Sequence, residues 1–356
     1  MWPLLFLSIV FACRLFSSAF EIHCPHPKYQ QVGCIEQNAP LVAERKQIVI
    51  PGFSGAYNPT IVKNGDGYTL FFRYDEPNQH KLFKEKFQFM TYIGYVDLDV
   101  DWKVISVPKI LKMKSPYCED PRVVAFQDKW ILFFNEIYPQ TPNKRGMKVA
   151  IINPKTKAVE KIYPLPGGKG PVEKNWTPFV RHTEEGEELY YVYDFNTLSI
   201  FQVFLTADGL KTESVYEGGE KWAALEEWKG QFGALRGGAP LIYVDGEYWA
   251  FFHSMFNEVA EDRIGKYKKY YYHPGLLSFN FEEKKMTGFL QYPLLYNRAF
   301  QAEKARCFNK WIVYPSGALY DPVEKTVLIS IAENDSAIFL VKYSKELLKN
   351  ALQNRF

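Results

Sequence analysis

The chain has 356 residues, 47% of them hydrophobic and 17% aromatic, which is enough for one large all-β domain or two ordinary ones. Its 43 basic and 40 acidic residues leave a net charge of +3. The only basic block, Lys266–Lys269, is short and reads as a solvated loop, so nucleic-acid binding finds no support.

The first 19 residues contain an apolar run from Leu4 to Cys13, interrupted by Arg14. A bilayer takes about 20 apolar residues, so the run is too short to span comfortably. Ser17 and Ala19 offer a cleavage site before Phe20. Residues 1–19 are therefore expected to be an export signal that leaves a secreted or extracytoplasmic body; the alternative is a membrane anchor over residues 4–19. No other long apolar run exists, so no further membrane contact is expected. Residues 20–47 read as an irregular N-terminal arm.

From residue 48 to residue 356 the pattern is one of short apolar strands separated by Gly, Asn, Asp and Pro turns. Five proline-led segments recur, opening at Pro59, Pro121, Pro178, Pro240 and Pro315. Each runs through a turn into an aromatic-rich strand, and they are spaced by roughly 55 to 75 residues. Asn64–Gly67, Pro166–Gly170 and Val244–Gly246 carry turn chemistry. Met90–Ser106 and Met147–Leu165 read as outer strands, Asn257–Lys269 as a long polar loop, and only Ser344–Phe356 as a helix. With no linker and no break in composition, the expectation is a single five-bladed β-propeller with a short C-terminal helix. A closed ring also avoids exposed sheet edges.

Cys24 and Cys34 lie close together in the arm, where export would permit a local disulfide; Cys118 and Cys307 read as buried thiols. No spacing of Cys or His suggests a metal site. The sequons at Asn175 and Asn334 fall inside polar clusters and are expected to stay unmodified.

The polar ends of the five segments are where equivalent strands of a propeller could converge. They bring Arg73 and Asp75, Asn135 and Glu136, Asp194, His253, then Glu333 and Asp335. The densest cluster is Cys118-Glu119-Asp120-Pro121-Arg122. It reads either as a salt-bridged strand entrance with Arg122 as the partner, or as a site in which Asp120 is a general acid tuned by its neighbours. Glu173-Lys174-Asn175-Trp176 could hold an anion or a sugar hydroxyl beside a stacking ring, or be a turn with Trp176 in the core. Arg236-Gly237-Gly238 lets backbone approach something closely and leads to His253.

Taken in order, Tyr57-Asn58-Pro59, Phe72-Arg73, Glu119-Asp120-Pro121-Arg122, Lys174-Asn175-Trp176 and Gly237–Pro240 leading to His253 form a series. Tyr272-His273-Pro274-Gly275, Pro315-Ser316-Gly317 and Asn334-Asp335 complete it. The series resembles glycoside hydrolase family 130, the β-mannoside phosphorylases and hydrolases, and the related β-1,2-mannosyltransferase/phosphorylases. The resemblance implies a five-bladed propeller acting on an oligosaccharide or glycoside by inverting cleavage or transfer of β-linked mannosyl units, with Asp120 as general acid. It implies substrate binding by Asn58, Arg73, Glu119, Arg122, Asn175 and Asp335. It places Lys174, Arg236, His253 and Tyr272 near a phosphate, so inorganic phosphate is the one co-substrate implied and no cofactor is. The chain departs from the family's phosphorylase pattern in the third segment, where Tyr191-Val192-Tyr193-Asp194 lacks the His-Arg pair, and in having Arg236 where Lys is common. Phosphate, water or an acceptor as nucleophile therefore all remain open, and the alternative is a non-catalytic carbohydrate-binding propeller.

Overall fold

The computed structural model describes residues 38–76, 90–138, 141, 144–206, 209–218, 222–262, 265–295 and 310–353. The expected export signal, the arm up to residue 37, Cys24, Cys34 and Cys307 lie outside these residues.

Each of the first three proline-led segments opens a four-stranded antiparallel meander. The first comprises β1's successors β2 (Tyr57–Asn64), β3 (Gly67–Asp75), β4 (Thr91–Leu98) and β5 (Lys109–Ile110), where β1 (Val42–Ile48) precedes them in the chain. The second comprises β6 (Cys118–Phe126), β7 (Lys129–Ile137), β8 (Arg145–Ile152) and β9 (Val159–Pro164). The third comprises β10 (Thr177–Thr183), β11 (Gly186–Asp194), β12 (Ser199–Thr206) and β13 (Gly209–Glu217). The remaining strands are β14 (Ala234–Arg236), β15 (Ile242–Val244), β16 (Glu247–Asp262), β17 (Gly265–Asn280), β18 (Lys285–Phe289), β19 (Lys310–Asp321), β20 (Thr326–Glu333) and β21 (Ala337–Ser344). They form one nine-stranded sheet, because β17 and β19 pair in parallel through Tyr270–Tyr272 and Lys310–Ile312. β1 completes that sheet by pairing antiparallel with β21.

The turn chemistry works as read. Asp245 and Gly246, both at positive φ, form the two-residue loop between β15 and β16, matching the right-handed twist of the strands. The prolines open the first strands because they have no N–H to offer a ladder and keep a carbonyl free for a neighbour. Pro59 O accepts from Ser330 Oγ at 2.7 Å and from Ser316 Oγ, and Pro178 O accepts from Leu241 N at 3.0 Å. Such contacts link the first strands in sequence: β2 meets β6, β6 meets β10, β10 meets the start of β15, β15 meets β19, and β19 meets β2.

The core lies between successive sheets, and side-chain alternation explains how. Phe71 packs towards Val123, Leu132 and Phe134 of the second meander. Its neighbour Phe72 faces the other way, towards Leu328, Ile338 and Leu340. β3 thus feeds two cores, as does β7 through Phe133 and Phe134, and much of the high aromatic content goes there. Tyr191 stacks on Phe201 with centroids 5.3 Å apart and on Trp176 with centroids 4.9 Å apart.

Three segments differ from expectation. Val42–Ile48 is a strand rather than the irregular end of an arm, because Ile48 buries beside Ile338 once the backbone has paired. Asn257–Lys269 is not a loop but the distal part of the β16–β17 hairpin, with Asn257 opposite Tyr270 and Val259 opposite Lys268. Backbone pairing carries it on without an apolar face. Ala223–Phe232 is an additional helix, α1, whose Leu225, Trp228 and Phe232 are buried at helical spacing. The expected C-terminal helix is present as α2, Lys345–Gln353. Cys118 is a buried free thiol, as read from the sequence.

Tyr343 is fully buried, yet its hydroxyl has no hydrogen-bond partner among the described residues. Tyr343→Phe removes that unsatisfied group without leaving a cavity, so unfolding in urea should show a gain of about 1 kcal/mol. A loss of stability would show that the hydroxyl is partnered after all.

Candidate functional site

β2 and β6 both bulge at their prolines, with register shifts between Tyr57 and Thr60 and between Glu119 and Arg122. The bulges put Asn58 (φ 46°) and Asp120 (φ 53°) in the left-handed region, although a residue before proline is normally extended. Each such conformation costs on the order of 1 kcal/mol. It turns the two side chains out of the alternating pattern and towards each other: Asn58 Nδ2 donates to Asp120 Oδ1 at 2.7 Å.

Arg73, at the end of β3, binds the group together. Its Nη1 lies 3.1 Å from Asp120 Oδ1, its Nη2 2.7 Å from Glu119 Oε1, and its Nε 3.1 Å from Asp75 Oδ1. Tyr57 OH donates to Asp75 Oδ2 at 2.6 Å, and its ring lies against the Arg73 guanidinium. Glu119 is saturated from its other side, accepting from Asn135 Nδ2 at 2.8 Å and Arg145 Nε at 2.9 Å. Asp120 differs. Its Oδ1 is held twice, while Oδ2 has no hydrogen-bond partner among the described residues. Burial pushes its pKa up, but the charges of Arg73, Arg122 and Lys174 and the Asn58 hydrogen bond outweigh this and hold it at about 2. In the ligand-free protein Asp120 is thus an ionised carboxylate with one oxygen available.

Arg122 is fully buried and is not the carboxylates' salt-bridge partner that the strand-entrance reading expected; Arg73 takes that part. Arg122 Nε instead donates to Gly238 O at 2.7 Å, Nη1 to Asp120 O at 3.1 Å, and Nη2 to Asn175 Oδ1 at 3.1 Å and to Tyr314 OH. Asn175, also left-handed at φ 67°, accepts from Tyr314 OH as well. One guanidinium therefore joins the second, third, fourth and fifth segments. The glycine pair does what its lack of side chains suggested: an added Cβ would sit 1.8 Å from Asn175 O at Gly237 and 2.1 Å from Phe251 O at Gly238.

Lys174, Asn175, Tyr193, Asp194 and Arg236 line a cavity of 290 Å³. Neither Lys174 nor Arg236 has a side-chain hydrogen bond or ion pair among the described residues. Burial lowers the pKa of Lys174, and the nearby positive charges of Arg236 and Arg145 add to this against the pull of Asp120 and Glu119. Asp194 turns its Oδ1 to its own loop, accepting from Asn196 N at 2.8 Å and Asn196 Nδ2 at 2.7 Å. His253 sits opposite Arg236 in the β14–β16 register. It is buried between Tyr272 and Tyr314, with ring centroids at 5.2 Å and 4.7 Å, and Nδ1 has no partner. Burial, reinforced by Arg236, Arg122 and Lys174, holds its pKa well below that of an ordinary histidine.

The expected residues Asn58, Arg73, Glu119, Asp120, Arg122 and Asn175 thus form one connected network, with Lys174, Arg236, His253 and Tyr272 beside it. Asp335 (φ 51°) is partly exposed on the turn after β20, and its charge reaches Tyr57. That turn is fixed by Asn334, whose Oδ1 accepts from Ile312 N at 3.1 Å. Trp176 is buried in the core against Tyr191, so the stacking-ring reading is corrected. Among the described residues, no group of three or more metal-ligating side chains is assembled. Sequence reasoning missed Tyr314 and Arg145. Tyr314 could have been found, since it holds the position before proline in the fifth segment, as Asn58 and Asp120 do in the first two.

No family model matches the chain, and no curated protein does. Solved structures do. A β-1,2-mannobiose phosphorylase from Listeria innocua, solved with β-1,2-mannobiose, is 12% identical, covering 90% of this chain and 98% of that one with a TM-score of 0.56. A mannose phosphorylase from Leishmania mexicana, in complex with phosphate, is 9% identical over 86% of this chain and 90% of that one, with a TM-score of 0.55. A GDP-Man-dependent mannosyltransferase from the same organism is 10% identical over 89% and 94%, with a TM-score of 0.57. The fold therefore resembles that of the glycoside hydrolase family 130 mannoside phosphorylases and hydrolases, the family its motif series resembles.

Arg122→Ala would strand Gly238 O in the interior, leave Asn175 Oδ1 with Tyr314 OH alone, and open a cavity. It should cost about 3–5 kcal/mol in chemical denaturation, with Arg122→Lys recovering only part because one ammonium cannot reach the same set of acceptors. A cost below about 1 kcal/mol would remove Arg122 from its central place. Asp120 gives a second expectation. Its folded pKa of about 2 lies below the unfolded value of about 3.9, so its stabilising contribution is complete above about pH 4 and is lost as pH falls towards about 2. Between pH 5 and 2 the urea midpoint of the native protein should fall more steeply than that of Asp120→Asn. Parallel curves would contradict the assignment.

Proposed function

We propose that the chain is a carbohydrate-active enzyme built as a five-bladed β-propeller, which forms or breaks β-linked mannosyl bonds with inversion, and in which Asp120 handles the proton. The ring reading is supported by the closed series of contacts from β2 through β6, β10, β15 and β19 back to β2. The observation that carries the functional reading is the Asp120 carboxylate: ionised, fixed through one oxygen by Asn58 and Arg73, with the other oxygen available.

In this reading Asn58, Arg73 and Asp335 surround the mannosyl unit, and the unpaired Lys174 and Arg236 with His253 and Tyr272 take an anionic group. Charge favours this, because two partly buried cations close to each other are relieved by a phosphate. The neighbours whose names mention phosphate, mannobiose and GDP-Man support the same chemistry. The protonation state adds a direction. An ionised Asp120 is ready to receive the proton of an acceptor hydroxyl, directly or through a sugar hydroxyl, as an anionic leaving group departs from the opposite face. Cleavage is the reverse and starts from a protonated Asp120, which is the minor form at neutral pH. The free enzyme is therefore in the state suited to transfer. The same ionisation favours the second reading, a binding-only propeller, since a carboxylate held this firmly can serve simply as a hydroxyl acceptor.

The test is incubation with β-1,2- and β-1,4-manno-oligosaccharides, with and without phosphate, and with mannose 1-phosphate plus an oligosaccharide acceptor, following products by mass. Turnover of at least one set is expected, with Asp120→Asn slower by about 10²–10⁴-fold. Turnover unaffected by Asp120→Asn removes the mechanism. Binding of a manno-oligosaccharide with no turnover in any set replaces the enzyme with the binding-only propeller.

A further inference from the structure

Asp335 sits in the turn that joins β20 to β21. Ser336 N closes that turn by donating to Glu333 O at 3.0 Å. The two central residues, Asn334 (φ 52°) and Asp335 (φ 51°), are both left-handed, as in a type I′ turn, and Asn and Asp tolerate this better than other residues with side chains. A backbone of this kind persists where its surroundings hold it. Two other strands grip the residues just before Asp335. On β19, Ile312 O accepts from Asn334 N at 3.1 Å, and Ile312 N donates to Asn334 Oδ1 at 3.1 Å. From β1, Arg45 Nη2 pairs with Glu333 Oε1.

Arg45 lies opposite Val341 in the β1–β21 register, so its side chain crosses β21 to reach β20. On the way its guanidinium rests on the ring of Phe339, 4.6 Å from the centroid, which fixes its direction. Glu333 is fully buried. A carboxylate there without its counter-charge must take up a proton or draw in water, and either disturbs the end of β20. That end carries Asp335 two residues further on. The turn in its place is in electrostatic reach of the Asp120 network: the charge of Asp335 acts on Tyr57, whose hydroxyl donates to Asp75, the partner of Arg73. We propose that Arg45 is a positioning residue of the sugar site: by holding Glu333 it sets the place of the Asp335 carboxylate, and β1 is thereby part of the functional unit as well as of the sheet. The proposal rests on the reading of Asp335 as a sugar-binding residue and adds what holds it there.

A double-mutant cycle on the full chain tests it, with β-1,2- and β-1,4-mannobiose as probes in titration calorimetry. Asp335→Gly suits the turn and removes the carboxylate, and should weaken binding by about 10-fold or more. Arg45→Gln should weaken it by about 3- to 10-fold, and the double variant should bind no worse than Asp335→Gly alone, because Arg45 acts only through Asp335. Arg45→Lys, which keeps the charge, should recover most of the affinity, a rescue that separates lost positioning from lost packing. If Arg45→Gln does not fold, Glu333→Gln, which removes the charge and keeps the shape, takes its place in the cycle with the same expectation. Additive losses, or a parental affinity in Arg45→Gln, overturn the proposal, while the loss in Asp335→Gly leaves the reading of Asp335 standing. Unchanged affinity in Asp335→Gly, or no binding of either mannobiose by the unmodified protein, overturns that reading and the proposal together.

Discussion

The structure turns on the buried guanidinium of Arg122. It reaches backbone at Gly238 and Asp120 and side chains at Asn175 and Tyr314, so residues from four of the five proline-led segments share one cation. Sheets that meet only through apolar side chains can slide, because hydrophobic contact is not directional. A planar group with fixed donors cannot be satisfied unless all its acceptors arrive at set distances. Arg122 thereby converts packing between sheets into a defined geometry at their meeting point. Gly237 and Gly238 matter for the same reason: their backbone must come close enough for the bond from Arg122 Nε to form.

The second consequence is a division of labour between adjacent carboxylates. Glu119 and Asp120 are neighbours in sequence, but the bulge sends them to different surroundings. Glu119 is ringed by Arg73, Asn135 and Arg145 and serves to hold those groups in place. Asp120 shares Arg73 yet keeps one oxygen free. Arg73 thus orders the site through Glu119 and Asp75 and sets the ionisation of Asp120 at the same time.

Most of this architecture could be read from the residues, and the exceptions have physical causes. Proline-led strands and Asp-Gly turns act locally, so the meanders and the polar strand ends followed from composition and spacing. Trp176 in the core was one of two readings, while the role of Arg122 was not legible, because which charge meets which depends on where a bulge points a side chain, and a one-residue bulge leaves no mark in periodicity. The β16–β17 extension was hidden because its pairing is carried by backbone. Helix α1 was legible in the i, i+3, i+7 spacing of Leu225, Trp228 and Phe232, but three apolar positions in ten residues are a short signal among so many strands. β1 was hidden because its partner, β21, lies at the far end of the chain.

What the protein leaves unsatisfied is as informative as what it satisfies. Asn58 and Asp120 occupy a backbone region that residues before proline avoid. Asn58 Oδ1 and His253 Nδ1 are buried without partners among the described residues, where Lys174 and Arg236 also lack a side-chain partner. Each of these features is unfavourable in the protein by itself, by on the order of 1–3 kcal/mol for a buried unsatisfied polar atom. A fold with such well-filled cores had the means to avoid these costs, as it does at Glu119. Trp228 Nε1 and Tyr343 OH are unsatisfied elsewhere, but Asn58 Oδ1, Asn135 Oδ1 and His253 Nδ1 belong to the network around Asp120 and its neighbours. Under the proposed function these are the donors and acceptors that a ligand, and not the protein, completes.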